Sequence, residues 1–192
     1  MTWYMDRGPD SDVILSSRVR LARNLVGHPF PNRLEKEQAA DVSNLVSASF
    51  FGETRDRRAE YLDVDLGCLP DEDRMALVEK RLISEDLARF AECRRAIISR
   101  DESVSVMVNE EDHIRIQAMS PGFDLNAAYR KAEAVALLLE SRLPIAYSGK
   151  YGFLTACPTN VGTGMRASVM AHLPGLAMAG LLRGAVESLG KM

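Results

Sequence analysis

Cysteine is scarce in this sequence: 192 residues contain three, Cys68, Cys93 and Cys157, with no CxxC pair, and the 3 histidines lie far apart. That fits neither a disulfide framework nor a zinc site and points to a reducing compartment. No sign of charge dominates. The 24 Lys and Arg against 27 Asp and Glu leave a net charge of -3, with a sequence pI near 5.7. Bulk electrostatics therefore give no reason to expect nucleic acid or an anionic membrane as the main partner, and any anion site must be local. Long apolar runs are also lacking. The most apolar stretch, "VMAHLPGLAMAGLL", is too short to span a bilayer and is interrupted by His172 and Pro174, while "MTWYMDRGPDSD" at the start has no apolar signal region. These absences read as a cytoplasmic protein without a membrane partner.

What is present suffices for the core of one ordinary globular domain: 46% of residues are hydrophobic and 27% charged. The elements read as mixed α and β. "SDVILSSRVRLARN" suggests an extended segment on which Arg18 and Arg20, at period two, share a face. "EKEQAADVSNLVSASFF" places Val42, Leu45, Val46 and Phe50 on one helical stripe. "DEDRMALVEKRL" and "SEDLARF" read as further helices with acidic or hydroxyl residues at their starts. "SVSVMVNEEDHIRIQAM" reads as a hairpin, with Val104, Val106 and Val108 facing Ile114 and Ile116, the turn spanning Asn109 to Asp112, and Arg115 and Gln117 on the opposite face. "DLNAAYRKAEAVALLLESRL" is a helix from near Asp124 to before Pro144. "YGFLTA" reads as a strand, and the stretch after "GTG" as a helix opening on Arg166. No repeat, low-complexity tract or linker interrupts this order.

Arg18, Arg20, Arg115 and Arg166 occupy positions where arginine is an odd filler. Guanidinium presents a rigid fork of donors matched to phosphate oxygens, so a set converging from several elements makes a polyphosphate clamp. For each arginine taken singly, a solvated or salt-bridged surface side chain is the plainer explanation; only convergence reverses that. "GTGMRAS" is not a Walker A loop, because no G-K-[ST] follows, and "VGTGMRA" does not satisfy the dinucleotide fingerprint. The acidic "NEED" turn is by itself either a solvated loop or a grip for a cationic substrate or Mg²⁺. Cys157 is either a small buried hydrophobe or a thiol activated by nearby cations.

Taken together, "SSRVRLARN", "VNEEDHIRIQ" and "CPTNVGTGMRASVMAHLP" resemble, in order and spacing, the ATP:guanido phosphotransferase (phosphagen kinase) family, and within it the bacterial protein-arginine kinases. The resemblance implies an α+β fold: a large, mostly antiparallel sheet with helices on one side and the nucleotide on the other. It implies a catalytic domain over 12–192, preceded by a short extension, 1–11, and incomplete at its C-terminus, since the family continues past "VESLGKM" into an Arg-Gly-x-x-Gly-Glu strand. By resemblance, Ser16, Ser17, Arg18, Val19 and Arg20, with Arg115 and the run Arg166, Ala167, Ser168, Val169 and Met170, bind the nucleotide. Glu111 grips the substrate guanidinium and Cys157 sits against it.

The implied substrates are ATP, with Mg²⁺ held mainly through its phosphates and no dedicated metal ligands, and arginine side chains of proteins. The family's small-molecule members carry a helical N-terminal domain, and this chain reaches "SSRVR" almost at once; a free-arginine kinase stays open. The resemblance leaves an activator protein and a homodimer open as well. A second reading is a truncated, inactive module that binds nucleotide or arginine-bearing proteins. Arg81 departs from the family, which typically has a nucleotide-contacting histidine there. Every version of the kinase reading requires the four arginines to meet in one cavity opposite Glu111 and Cys157.

Overall fold

The computed structural model describes residues 2–52 and 55–191. One six-stranded sheet organises the chain: β1 (Ile14–Arg23), β2 (Tyr61–Asp65), β3 (Arg95–Ser99), β4 (Val104–Val108), β5 (Ile114–Pro121) and β8 (Met165–Ala171). Their spatial order is β2-β3-β4-β5-β1-β8, and each neighbouring pair is antiparallel. The small hairpin of β6 (Tyr147–Ser148) and β7 (Gly152–Phe153) lies outside the sheet. The helices are α1 (Lys36–Phe51), α2 (Arg55–Glu60), α3 (Asp71–Glu79), α4 (Glu85–Arg89), α5 (Leu125–Glu140), α6 (Pro174–Met178) and α7 (Leu182–Leu189).

Helix α5 forms where its sequence dictates. The Asp124 side chain accepts the Ala127 N–H at 2.8 Å, which caps the first turn. Ala128, Ala132, Val135, Ala136 and Leu139 recur on one buried face, and the three alanines let the helix lie close to the sheet. On α1 a reciprocal Glu35–Gln38 capping box starts the helix, and Val42, Val46 and Phe50 face the core. Leu45 does not join them: it is 41% exposed, because its position turns it off the stripe that Val42, Val46 and Phe50 share.

The register divides the sheet into two faces. Val19 and Leu21 of β1, Val104, Val106 and Val108 of β4, and Ile114, Ile116 and Ala118 of β5 point toward α1 and α5 and make the larger core. The opposite face is split. Over β3 and β4, Ala96, Ile98 and Met107 are covered by a smaller core from the α3–α4 region, with Leu66, Leu82 and Leu87. Over β5, β1 and β8 that face carries Arg115 and Gln117, Arg18 and Arg20, and Arg166 and Ser168, in register with one another. A single sheet thus has a greasy half and a cationic half on one side.

One expectation fails in an informative way. The residues after Gly164 form strand β8, not a helix opening on Arg166. The edge of β1 offers a full row of unpaired backbone groups, and the run from Met165 to Ala171 satisfies it, from Leu21↔Met165 to Ile14↔Ala171. The segment's alternation of faces matches period two, and its Ser and Val have no strong helix preference to set against that pairing. "YGFLTA" is strand only at Gly152–Phe153. Among the described residues no helix is long and apolar enough to cross a membrane.

Candidate active site

The arginine face is built by pairing rather than by a loop. Arg20 on β1 stands opposite Gln117 of β5 and Arg166 of β8, and Arg115 lies one residue pair further along β5, opposite Ala22. Arg20, Arg115 and Arg166 line one cavity of about 60 Å³ together with Glu111, Asp112 and Asn160. Arg18 lines an adjoining pocket of about 90 Å³ with Arg81, Ser16, Ser168 and Met170. Three of the four expected arginines therefore share a wall with Glu111, and the fourth sits beside them with Arg81 as a fifth cation.

This crowding is unfavourable in the absence of an anion. Burial and the charges of Arg18, Arg115 and Arg166 pull the Arg20 guanidinium down to about 10, against a weaker pull from Glu110. Burial, followed by Arg115, Arg81 and Arg166, likewise lowers Arg18. Arg20 Nε is buried and has no hydrogen-bond partner among the described residues. A guanidinium that is part-buried, surrounded by its own kind and missing an acceptor is what an anion-binding wall looks like before the anion arrives.

The three carboxylates of "NEED", equivalent in the sequence, have separate jobs. Glu110 accepts from Arg115 Nη1 at 2.6 Å and from Ser84 Oγ at 2.8 Å. Burial raises it, but Arg115, the Glu111 N–H and Ser84 together outweigh burial and hold it below the usual range. Asp112, 2% exposed, accepts from Asn24 Nδ2 at 2.6 Å and from the Ala156 N–H at 2.7 Å. Burial raises its pKa against those two bonds. The Glu111 carboxylate makes no ion pair or hydrogen bond among the described residues, and burial with the charges of Asp112 and Glu110 pushes it up, against Arg115. It is the carboxylate left available to a ligand.

Asp112 also couples the turn to the cysteine loop. Its bond to Ala156 brings the residue before Cys157 against the acidic turn, while Asn24 Nδ2 also donates to the Leu154 carbonyl at 3.0 Å. Cys157 Sγ lies 3.0 Å from Thr159 Oγ1, and Thr155 Oγ1 donates to the Cys157 carbonyl at 2.8 Å. Cys157 does not itself line the small cavity; Asn160 and Gly164 of the same loop do. Gly164 has φ +60° because it must: a Cβ there would stand 2.7 Å from the Ala22 carbonyl oxygen and from Arg23 Nη1. Arg23, behind the sheet, clamps the loop by stacking 3.5 Å over Phe153 while its Nε donates to Glu140 at 2.7 Å.

Not all of the motif residues reach the arginine face. Ser17, Val19, Ala167 and Val169 alternate to the helix side, where Val19 is 1% exposed and Ser17 donates to the Gly122 carbonyl at 2.8 Å. With β8 a strand, no helix N-terminus opens at Gly164 to Ser168 to present N–H groups to a phosphate.

Asn24 and His113, which no motif chemistry singles out, brace the site together with Asp112 of the acidic turn. The Leu25 N–H donates to His113 Nδ1 at 3.0 Å, so Nε2 carries the proton and donates to the Pro29 carbonyl at 2.9 Å. Burial, with a smaller push from His28, depresses this imidazole from 6.5 to about 4. It is neutral in the fold and protonates more readily when unfolded. Stability is therefore complete above pH 6.5 and lost as pH falls toward about 4. Thermal unfolding between those values is expected to show this slope, and His113→Gln to flatten it; an unchanged slope would assign the acid sensitivity elsewhere.

The chain also matches known proteins in sequence and fold. The family described as ATP:guanido phosphotransferase, C-terminal catalytic domain, matches residues 41–191. A protein named protein-arginine kinase from Pelotomaculum thermopropionicum is 46% identical over 191 residues, 99% of this chain and 54% of its own length. Another of that name, from Shouchella clausii, is 44% identical over 190 residues, 99% of this chain and 53% of that protein. The chain spans about half the length of these curated relatives. Among solved structures, the taurocyamine kinase of Schistosoma mansoni with bound transition state analog components has a TM-score of 0.76 and 32% identity, covering 88% of this chain and 25% of that one. A helix-flanked antiparallel sheet carrying a cationic half-face, matched over this length and at this identity, places the chain in the ATP:guanido phosphotransferase family.

Proposed function

We propose that this chain is the phosphoryl-transfer portion of a protein-arginine kinase, acting over 12–192. The observation that carries the proposal is the cavity in which Arg20, Arg115 and Arg166 face the unpartnered carboxylate of Glu111. MgATP is the donor substrate, its phosphates seated on the arginine wall. Mg²⁺ enters with the nucleotide, held mainly through its phosphates. Arg18, Arg81, Ser168 and Met170 lie along the same face and suit the remainder of the nucleotide.

A guanidinium is a poor nucleophile at neutral pH, because its lone pairs are delocalised and its pKa lies above about 12. Glu111, held open by the separate pairing of Glu110 and Asp112, grips the fork and aims one nitrogen in line with the γ-phosphorus. As the N–P bond forms and the bridging P–O bond to ADP breaks, the nitrogen's proton passes to the carboxylate, and the arginines meet charge on the transferring group. Cys157 lies on the loop tied to Asp112, outside the wall of the small cavity, and its role is to meet the acceptor guanidinium once the substrate is bound.

The test is incubation of the chain with MgATP and an arginine-rich protein, followed by ³¹P detection of an acid-labile, base-tolerant phosphoramidate. Product that falls strongly in Cys157→Ala supports the reading. Nucleotide binding with no product under any condition supports instead the second reading, a binding module without turnover.

A further inference from the structure

At the end of the sheet where the Asn109–Asp112 turn emerges, a second depression of about 680 Å³ lies between the start of α1 and the segment joining α4 to β3. Four cations, Lys36, Arg74, Arg89 and Arg94, line it against one carboxylate, Glu92. Lys36 pairs with Glu92 and Arg74 with Asp71. Arg89 and Arg94 form no ion pair among the described residues: Arg94 donates to the Asp86 carbonyl at 2.7 Å and stands 5.6 Å over the Phe90 ring. Phe90 itself is 57% exposed. On a chain with a net charge of -3, two guanidiniums without an ion pair among the described residues, beside an exposed aromatic ring, mark a place where an anionic, partly apolar partner is complementary.

A second observation concerns Asn109, which lines the same depression and is 4% exposed. Its Nδ2 donates to the Ala39 carbonyl at 2.7 Å and to the Cys93 carbonyl at 3.0 Å, which fixes the amide with Oδ1 as an acceptor. Oδ1 has no partner among the described residues. A buried acceptor without a donor is costly.

The depression and the small cavity meet the same turn at different residues, Asn109 and Glu111. Asn109 and Glu111 belong to one turn, and two residues of chain span at most about 7 Å. Glu110 exerts its charge on Arg94, so the basic wall stands within electrostatic reach of the acidic turn.

We infer that this depression is a docking groove for acidic residues flanking the acceptor arginine in an extended segment of a protein substrate. The inference rests on the protein-arginine reading above and adds to it a rule for which arginines are chosen. An extended chain advances about 3.3 Å per residue, so positions two to four residues from the arginine bound at Glu111 lie over the groove. Their carboxylates meet Arg89, Arg94 and Lys36. The small cavity takes the guanidinium; the groove takes its neighbours.

Three fluorescent peptides of about a dozen residues test this, each with one central arginine and with Glu, Gln or Lys at the second to fourth positions on either side. Anisotropy titrations are run with the unsubstituted chain, with Arg89→Glu and with Lys36→Glu; both side chains are exposed, and neither belongs to the arginine face. The expected result is about tenfold tighter binding of the Glu peptide than of the Gln peptide, the sum of a few exposed charge pairs. That preference is expected to drop below about twofold in Arg89→Glu and to shrink in Lys36→Glu and with added salt. Equal binding of the Glu and Gln peptides, or a preference that survives both substitutions, overturns the groove. Phosphorylation of the same peptides separates the two claims. Equal incorporation into Glu and Gln peptides sinks the groove and leaves the kinase reading standing. Charge-selective binding that depends on Arg89, with no incorporation into any peptide, does the reverse.

Discussion

Glu111→Gln is expected to lower the rate of phosphoarginine formation by about 10²–10³-fold, the usual effect of losing a catalytic carboxylate or a positioned charge, while MgATP affinity stays within about twofold. The substitution keeps the shape of the side chain and removes only its charge and basicity. Because the Glu111 carboxylate makes no hydrogen bond or ion pair among the described residues, little stability is at stake. The neighbouring carboxylates give a contrasting signature. Glu110→Gln removes the partner of Arg115 and of Ser84, so its effect falls on nucleotide affinity. Asp112→Asn replaces the acceptor shared by Asn24 and Ala156, so it loosens the Cys157 loop and lowers thermal stability. Three adjacent acids with three different phenotypes would be hard to obtain from a merely solvated acidic turn. Glu111→Gln turning over at the unsubstituted rate would remove Glu111 from the mechanism.

Arg20→Ala is expected to weaken MgATP binding by about 100-fold in calorimetry, since a charge-assisted hydrogen bond contributes roughly 1.5–3 kcal/mol and each 1.4 kcal/mol is a factor of ten. The same variant is expected to unfold no earlier than the parent. Arg20 Nε is buried without a partner among the described residues, and Arg18, Arg115 and Arg166 surround it, so in the free protein it gives up more to repulsion and desolvation than its contacts return. Loss of binding with retained or increased stability is the mark of a residue kept for function. Arg95 provides the comparison: it is tied to Asp63 at 2.8 Å and to Ser43, so Arg95→Ala should cost stability and leave nucleotide affinity alone. Unchanged MgATP affinity in Arg20→Ala would contradict the phosphate wall.

How much of this could be read before the fold was known differs from element to element. The β4–β5 hairpin and α5 were legible because their patterns are local and strong: valines at period two, and alanine and leucine positions on one helical face behind an Asp cap. Strand β8 was not, because its identity depends on the free edge of β1, which lies more than a hundred residues away in sequence. For the same reason the residue types of the four arginines could be singled out but their meeting could not. Arg20 faces Arg166 and Gln117 only through the β1 register. The division of labour within "NEED" was also hidden, since it turns on Ser84, Asn24 and the Ala156 N–H, none of which shares a motif with it. Arg81 departs from the family pattern, and the fold places its side chain beside Arg18 at the same pocket.

The central claim, that one polyphosphate seats on Arg20, Arg115 and Arg166 together, is tested most directly by the ¹H–¹⁵N signals of the arginine Nε–H groups during titration with MgATP. The account expects those three signals to move in parallel and to saturate at one nucleotide per chain, with Arg20 moving most because its Nε–H gains a first acceptor, and with Arg95 still. Saturable binding that leaves the Arg20, Arg115 and Arg166 signals in place would contradict it.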